Sequence, residues 1–151
     1  MTGIIVGIDG SHHSLRALDW AVREAAVRQA PLTVLAVYRT TVGFWGGPVT
    51  YPEDLEPSAQ VRKEAEDAAA KALANAGDAR PAAVTVRAVC GIPAEELVEA
   101  SKGADMVVVG SRGNGGFARL LLGSVSSQVV HHAHCPVVVI PGEDRTERSP
   151  H

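Results

Sequence analysis

Gly110-Ser111-Arg112-Gly113, then nine residues, then Gly123-Ser124, is the part of this chain best suited to hold an anion. Glycine carries no Cβ, so backbone N–H groups at Gly110, Gly113 and Gly123 can close on an oxyanion. Gly123-Ser124 stands where a helical pattern begins. The unpaired N–H groups and dipole of a helix start there suit an anion at Gly123-Ser124. Ser124 can cap that helix or donate its hydroxyl to a phosphate, and Ser126 and Ser127 add donors. Arg112 either pairs with phosphate or stands as a solvated surface cation, and Arg119 is read as a surface group. A second candidate is Asp9, which closes the apolar run Val6-Gly7-Ile8 before Gly10-Ser11. A carboxylate at the carboxyl end of a strand favours a ligand role over that of a mere turn former.

Better-known phosphate motifs are absent. No Gly-Lys-Ser/Thr occurs, and the first apolar run is not followed by Gly-x-Gly-x-x-Gly. Taken alone, the glycine segment is equally compatible with a plain turn. His131-His132-Ala133-His134-Cys135 invites a zinc reading. Structural zinc needs about four ligands of fixed geometry, and consecutive helical residues point about 100° apart. The run is therefore read as helix-end histidines facing the dipole rather than as a metal site. His12 and His13 lie near the proposed cleft but show no partnered nucleophile.

The elements that must position these groups alternate along the chain. Ile4–Ile8 reads as a buried strand. Leu15, Leu18, Val22, Ala25 and Ala26 mark an amphipathic helix, capped by Ser11 and stopped by Pro31. Leu32–Tyr38 is a second strand. Residues 39 to 55 show no period and form a long loop. An Ala-, Glu- and Lys-rich helix runs from Pro57 to Ala76 and ends at Gly77. Val84, Val86 and Ala88 alternate with other residues as on a half-exposed edge strand. Pro93-Ala94-Glu95-Glu96 opens a short helix that Gly103 closes. Met106–Val109 is a buried strand, a helix runs from near Ser124 to before Pro136, and Val137–Ile140 is the last strand. This alternation predicts one doubly wound α/β domain over residues 1–141, a parallel sheet with helices on both faces. Residues 142–151 form a flexible charged tail.

The 151 residues suffice for one domain with a real core. At 46% hydrophobic but only 4% aromatic, that core must be aliphatic. A net charge of −3 argues against non-specific nucleic-acid binding, though it leaves room for a locally positive anion site. No segment has the length and apolarity of a membrane span, and the first residues lack the pattern of a signal peptide. The expected location is the cytoplasm, with Cys90 and Cys135 as free thiols.

Gly110, Gly113, Gly123 and Ser124 together resemble the Gly-x-x-Gly, nine residues, Gly-Ser signature of the ATP-binding branch of the universal stress proteins. Ile5-Val6-Gly7-Ile8-Asp9-Gly10-Ser11, Leu18-Asp19-Trp20-Ala21, Gly91-Ile92-Pro93-Ala94-Glu95-Glu96-Leu97, Leu121 to Ser126 and Cys135 to Pro141 are similar to further stretches of that family. The resemblance spans residues 3 to 141. It implies a five-stranded parallel sheet in the order 3-2-1-4-5, with adenosine held between the ends of strands one, two and four. It implies that Gly7 and Ile8 line the base pocket and that Val37 offers backbone groups to the adenine edge. Asp9 would lie near the ribose or a nucleotide-bound Mg²⁺. Gly110, Ser111, Arg112 and Gly113 would surround ribose and phosphates, with Gly123, Ser124, Val125 and Ser126 completing the cradle. ATP is the expected ligand, with AMP or another adenine nucleotide as alternatives.

The expected mechanism is ligand-gated regulation of an unidentified protein partner, with at most slow ATP hydrolysis, because no general base is paired with a nucleophile. Val137–Ile140 is apolar on both faces and would be a sheet edge, so two copies are expected to pair there. The rival readings are a nucleotide-free structural dimer and an adenylating enzyme of related fold. The latter usually shows Ser-Gly-Gly-x-Asp-Ser after its first strand, which is absent here. Flavin binding ranks below both.

Overall fold

A computed structural model describes residues 3–38, 57–111 and 123–141. The expected loop over 39 to 55, Arg112, Gly113, Arg119 and the tail from Gly142 lie outside the described residues. The elements are β1 (Ile4–Ile8), α1 (His12–Arg28), β2 (Pro31–Tyr38), α2 (Pro57–Ala76), β3 (Ala83–Cys90), α3 (Pro93–Ser101), β4 (Met106–Gly110), α4 (Ser124–His132) and β5 (Val137–Ile140). The strands form one sheet in the order β3-β2-β1-β4-β5, with every pairing parallel. The expected doubly wound α/β architecture is the one observed.

Strand alternation builds two cores. Ile4, Val6, Ile8, Leu32, Val34, Ala36, Met106 and Val108 point to one face and meet Ala17, Leu18, Ala21, Val22 and Ala25 of α1 and Ala65, Ala69 and Ala72 of α2. Ile5, Leu35, Val107 and Val109 point to the other face and meet Ala94 and Leu97 of α3 and Val129 of α4. Small alanines on α1 and α2 let those helices sit close to a sheet of Val, Ile and Leu, as an aliphatic composition requires. β1 and β4 are buried on both faces, whereas β3 alternates exposed with half-buried residues and β5 is half-buried throughout. That contrast is what central and edge positions demand of parallel strands.

Helix α1 starts as expected: Ser11 is its N-cap, and the Ser11 hydroxyl accepts the Ser14 N–H at 3.2 Å. It does not run to Pro31. Gln29 ends it in a left-handed conformation (φ 52°), with its N–H bonded back to the last turn and its side-chain amide donating to the Ala26 carbonyl at 2.7 Å. Pro31 instead opens β2, where its missing N–H is tolerated at a strand start. Among the described residues, no helix is long and apolar enough to cross a membrane.

Candidate functional site

The chain leaves β1 toward β2 and leaves β4 toward β5, so strand order reverses between the adjacent β1 and β4. Ligands of open α/β sheets bind above such a reversal, at the carboxyl ends of the strands. The ladder between β1 and β4 stops at Val6 with Val108, although β1 stays paired with β2 to Ile8 and β4 with β5 to Gly110. Gly7-Ile8 and Val109-Gly110 therefore extend past their mutual pairing, which opens the top of the sheet at this point.

One wall is the β1–α1 turn. Gly10 has φ +85°, and a Cβ added there would point into open space. A left-handed residue here reverses the chain sharply, and glycine does so without steric cost. Asp9 is exposed, and its Oδ1 accepts the Ser11 N–H at 2.9 Å. Behind it, the buried Ser14 hydroxyl accepts the Asp9 N–H at 3.2 Å and donates to the Ser11 carbonyl at 3.0 Å.

The other wall is the β4 end and the α4 start. Ser111 is buried. Its N–H donates to the Ile140 carbonyl at 2.8 Å, and its own carbonyl accepts the Gly123 N–H at 2.6 Å. The Ser126 hydroxyl, also buried, accepts the Gly123 N–H at 2.9 Å and lies 2.9 Å from the Ser111 carbonyl. Ser126 thus spends its hydroxyl on fixing the helix entry, as a residue in the third helical position often does. Ser124 is exposed at the first position of α4. The first intrahelical bond is Ser127 N–H to Gly123 carbonyl at 2.9 Å. The N–H groups of Ser124, Val125 and Ser126 therefore have no acceptor within the helix.

The two walls meet at Gly110. A Cβ there would stand 2.7 Å from the His13 backbone carbon and carbonyl oxygen, so only glycine lets the β4 end approach α1 this closely. His13 Nδ1 is buried and has no hydrogen-bond partner among the described residues. Gly7 has a different reason for being glycine: a Cβ would come within 2.9 Å of the Leu97 side chain on α3. Ile8 buries its side chain in the α1–α2 core, so only its backbone stands at the strand end. Val37 is half-buried, pairs with Val89 of β3 and packs on the α3–α4 side. The fold thus brings Asp9, Gly110, Ser111 and Gly123 to Ser126 to one end of the sheet, while Arg112 and Gly113 lie outside the described residues.

Sequence reasoning passed over Ser14 and the Gly110–His13 contact. Ser14 could have been found from its place three residues after an N-cap serine, where a side chain can turn back on the entry turn. At the far end of α4, His131 Nδ1 lies 2.8 Å from the Ser127 carbonyl oxygen. Among the described residues no cluster of three or more His, Cys, Asp or Glu is placed to hold a metal ion. Burial, and secondly the nearby Asp105 carboxylate, push the Cys135 thiol above its ordinary pKa, against a smaller opposing backbone hydrogen bond from Val107.

Comparison with known proteins gives a consistent result. A family model described as the universal stress protein family matches residues 1–141. Universal stress protein Rv2005c of Mycobacterium tuberculosis is 41% identical over 144 residues, covering 94% of this chain and 48% of its own length. A universal stress protein of Mycolicibacterium smegmatis is 38% identical over 144 residues, covering 95% of this chain and 49% of its own. The chain thus spans about half the length of these curated relatives. Among solved structures, a universal stress protein in complex with cAMP is 30% identical with a TM-score of 0.65, covering 92% of this chain and 95% of that one. Universal stress protein UspA of Lactobacillus plantarum is 26% identical with a TM-score of 0.65, covering 91% and 96%.

Proposed function

This chain belongs to the universal stress protein family, and on that footing we propose that it is an adenine-nucleotide-dependent regulator with ATP as its ligand. One observation carries the reading: where the β1–β4 ladder stops, an exposed carboxylate and the open first turn of a nine-residue helix stand at the same end of the sheet. A carboxylate suits a ribose hydroxyl or a cation, and helix-start N–H groups suit phosphate. The solved relative in complex with cAMP supports an adenine nucleotide as the class of ligand.

In this reading Ser124, Val125 and Ser126 offer backbone N–H groups to phosphate oxygens, while Gly123 holds the approach open. Gly110, Ser111, Arg112 and Gly113 form the rest of the cradle. Gly7 and Ile8 contribute backbone to the base pocket, and Val37 offers its backbone to the adenine edge. Asp9 takes the ribose or a nucleotide-bound Mg²⁺. The donor set fits such an ion: Mg²⁺ keeps several waters and needs only one or two carboxylates beside the phosphates. When bound, the ion neutralises phosphate charge, and the residues of this chain orient the nucleotide and exclude part of the solvent. In this reading binding and release are the main activity, with at most slow hydrolysis of bound ATP. The occupied site alters a surface read by a partner protein.

A second copy of the chain completes the proposed unit. β5 is a sheet edge with half-buried apolar residues, and such an edge is normally covered. Pairing of Val137–Ile140 with its counterpart gives a homodimer, and a monomeric elution profile at micromolar concentration contradicts it.

The nucleotide reading is tested by denaturing the purified protein and identifying what is released. Released adenine nucleotide is the expected result. An empty supernatant, together with no binding at millimolar ATP, favours a nucleotide-free structural dimer.

A further inference from the structure

We infer that Ser14 is a positioning residue of the ligand site, holding the Asp9 carboxylate in place through the turn behind it; this rests on the nucleotide reading above. The helix cap itself does not need the Ser14 side chain. Capping of α1 uses the Ser11 hydroxyl and the Ser14 backbone N–H, 3.2 Å apart. An alanine at position 14 would serve that bond equally well.

The Ser14 hydroxyl makes two further bonds, and both go to the turn rather than the helix. It accepts the Asp9 N–H at 3.2 Å and donates to the Ser11 carbonyl at 3.0 Å. The Asp9 carboxylate in turn accepts the Ser11 N–H at 2.9 Å. The result is a closed ring of three residues around Gly10, a glycine at φ +85° where an added Cβ would meet no other residue. Gly10 has no side chain to pack, so the ring of Asp9, Ser11 and Ser14 bonds restrains the turn. Ser14 is 5% exposed, and its hydroxyl hydrogen and an acceptor site are committed inward. It therefore acts on a ligand through Asp9 and not by contact.

The test is a double-mutant cycle read by calorimetric titration of the full chain with Mg-ATP, with unfolding midpoints recorded for each variant. Losing the bond that holds the Asp9 N–H, one of the two the Ser14 hydroxyl makes to the turn, predicts that Ser14→Ala weakens binding about fivefold. In an Asp9→Ala background the same change should alter affinity less than about twofold, because the group it positions is gone. Ser14→Cys fills the same volume but accepts hydrogen bonds weakly, so it should fall with Ser14→Ala. Equal losses in both backgrounds, or wild-type affinity in Ser14→Cys, overturn the inference: the first makes Ser14 independent of Asp9, the second makes it packing. Wild-type affinity in Ser14→Ala beside weakened Asp9→Ala also overturns it while leaving the nucleotide reading intact. A wild-type protein that binds no Mg-ATP defeats that reading itself.

Discussion

The two strand ends that flank the reversal of strand order are built in opposite ways. At the β1 end the side chains do the work: Asp9, Ser11 and Ser14 bond one another, and a carboxylate is left at the surface. At the β4 end the side chains retreat. Ser111 and Ser126 are buried, their polar groups tie Gly123 to the ends of β4 and β5, and what is exposed is Ser124 at the start of α4. One end presents negative charge on a fixed stem, and the other presents backbone N–H groups with glycine beside them. A nucleotide has need of both, since its hydroxyls and cation seek a carboxylate and its phosphates seek N–H donors.

The sharpest way to break this pairing is at the contact where the two ends meet. Gly110→Val pushes a branched side chain into the His13 backbone, already within 2.7 Å of an added Cβ. Denaturant unfolding should show a loss of about 3 kcal/mol; a wild-type midpoint contradicts the close approach. Next in size is Asp9→Ala. It should weaken Mg-ATP binding about tenfold, the value of a charge-assisted hydrogen bond, and the lost Ser11 bond contributes about 1 kcal/mol to a loss of stability. Affinity unchanged in that variant would separate the β1 end from the ligand.

Ser126→Ala probes the β4 end from the inside. The Gly123 N–H keeps its bond to the Ser111 carbonyl, so the cost in unfolding free energy should be about 1 kcal/mol. A loss several times larger means that the hydroxyl holds more than the helix entry. The smallest effect is a control. Cys135 precedes β5 at the opposite end of the sheet, and its thiol titrates above the ordinary range because it is partly desolvated and near Asp105. Thiolate is therefore scarcer than in a free cysteine at mildly alkaline pH, and alkylation should be slower until the pH rises past the raised value. Mg-ATP should leave that rate unchanged. Protection by nucleotide would put the ligand at the wrong end of the sheet.

Much of this arrangement can be read from the chain. Apolar runs located β1, β2, β4 and β5, alternation located β3, and the helical period located α1 and α2, because burial dictates those patterns; α3 and α4 were placed from the signals at their ends. The bounds expected for α2 agree with those observed, Pro57–Ala76. That α1 stops ahead of Pro31 was legible; that it ends through a left-handed Gln29 was not, because nothing in that residue's type announces it. Edge and centre were legible in β3 and β4, where alternation contrasts with an unbroken apolar run.

The candidate site was legible by residue but not by role. Asp9 and Gly123 stand out through type and spacing. Whether a serine faces a ligand or its own backbone depends on packing, so Ser124 and Ser126 looked alike in sequence and differ in the fold, one exposed and one buried. Ser14 and the fit of Gly110 against His13 depend on contacts between elements, which no local pattern encodes.

Calorimetric titration of the wild-type chain and of Gly123→Val with Mg-ATP tests the central claim most directly. Wild-type binding should fall about a hundredfold in the variant, the value of two lost hydrogen bonds to a charged group, with the fold retained. No heat of binding from the wild type at millimolar ATP, or equal affinity in Gly123→Val, contradicts it.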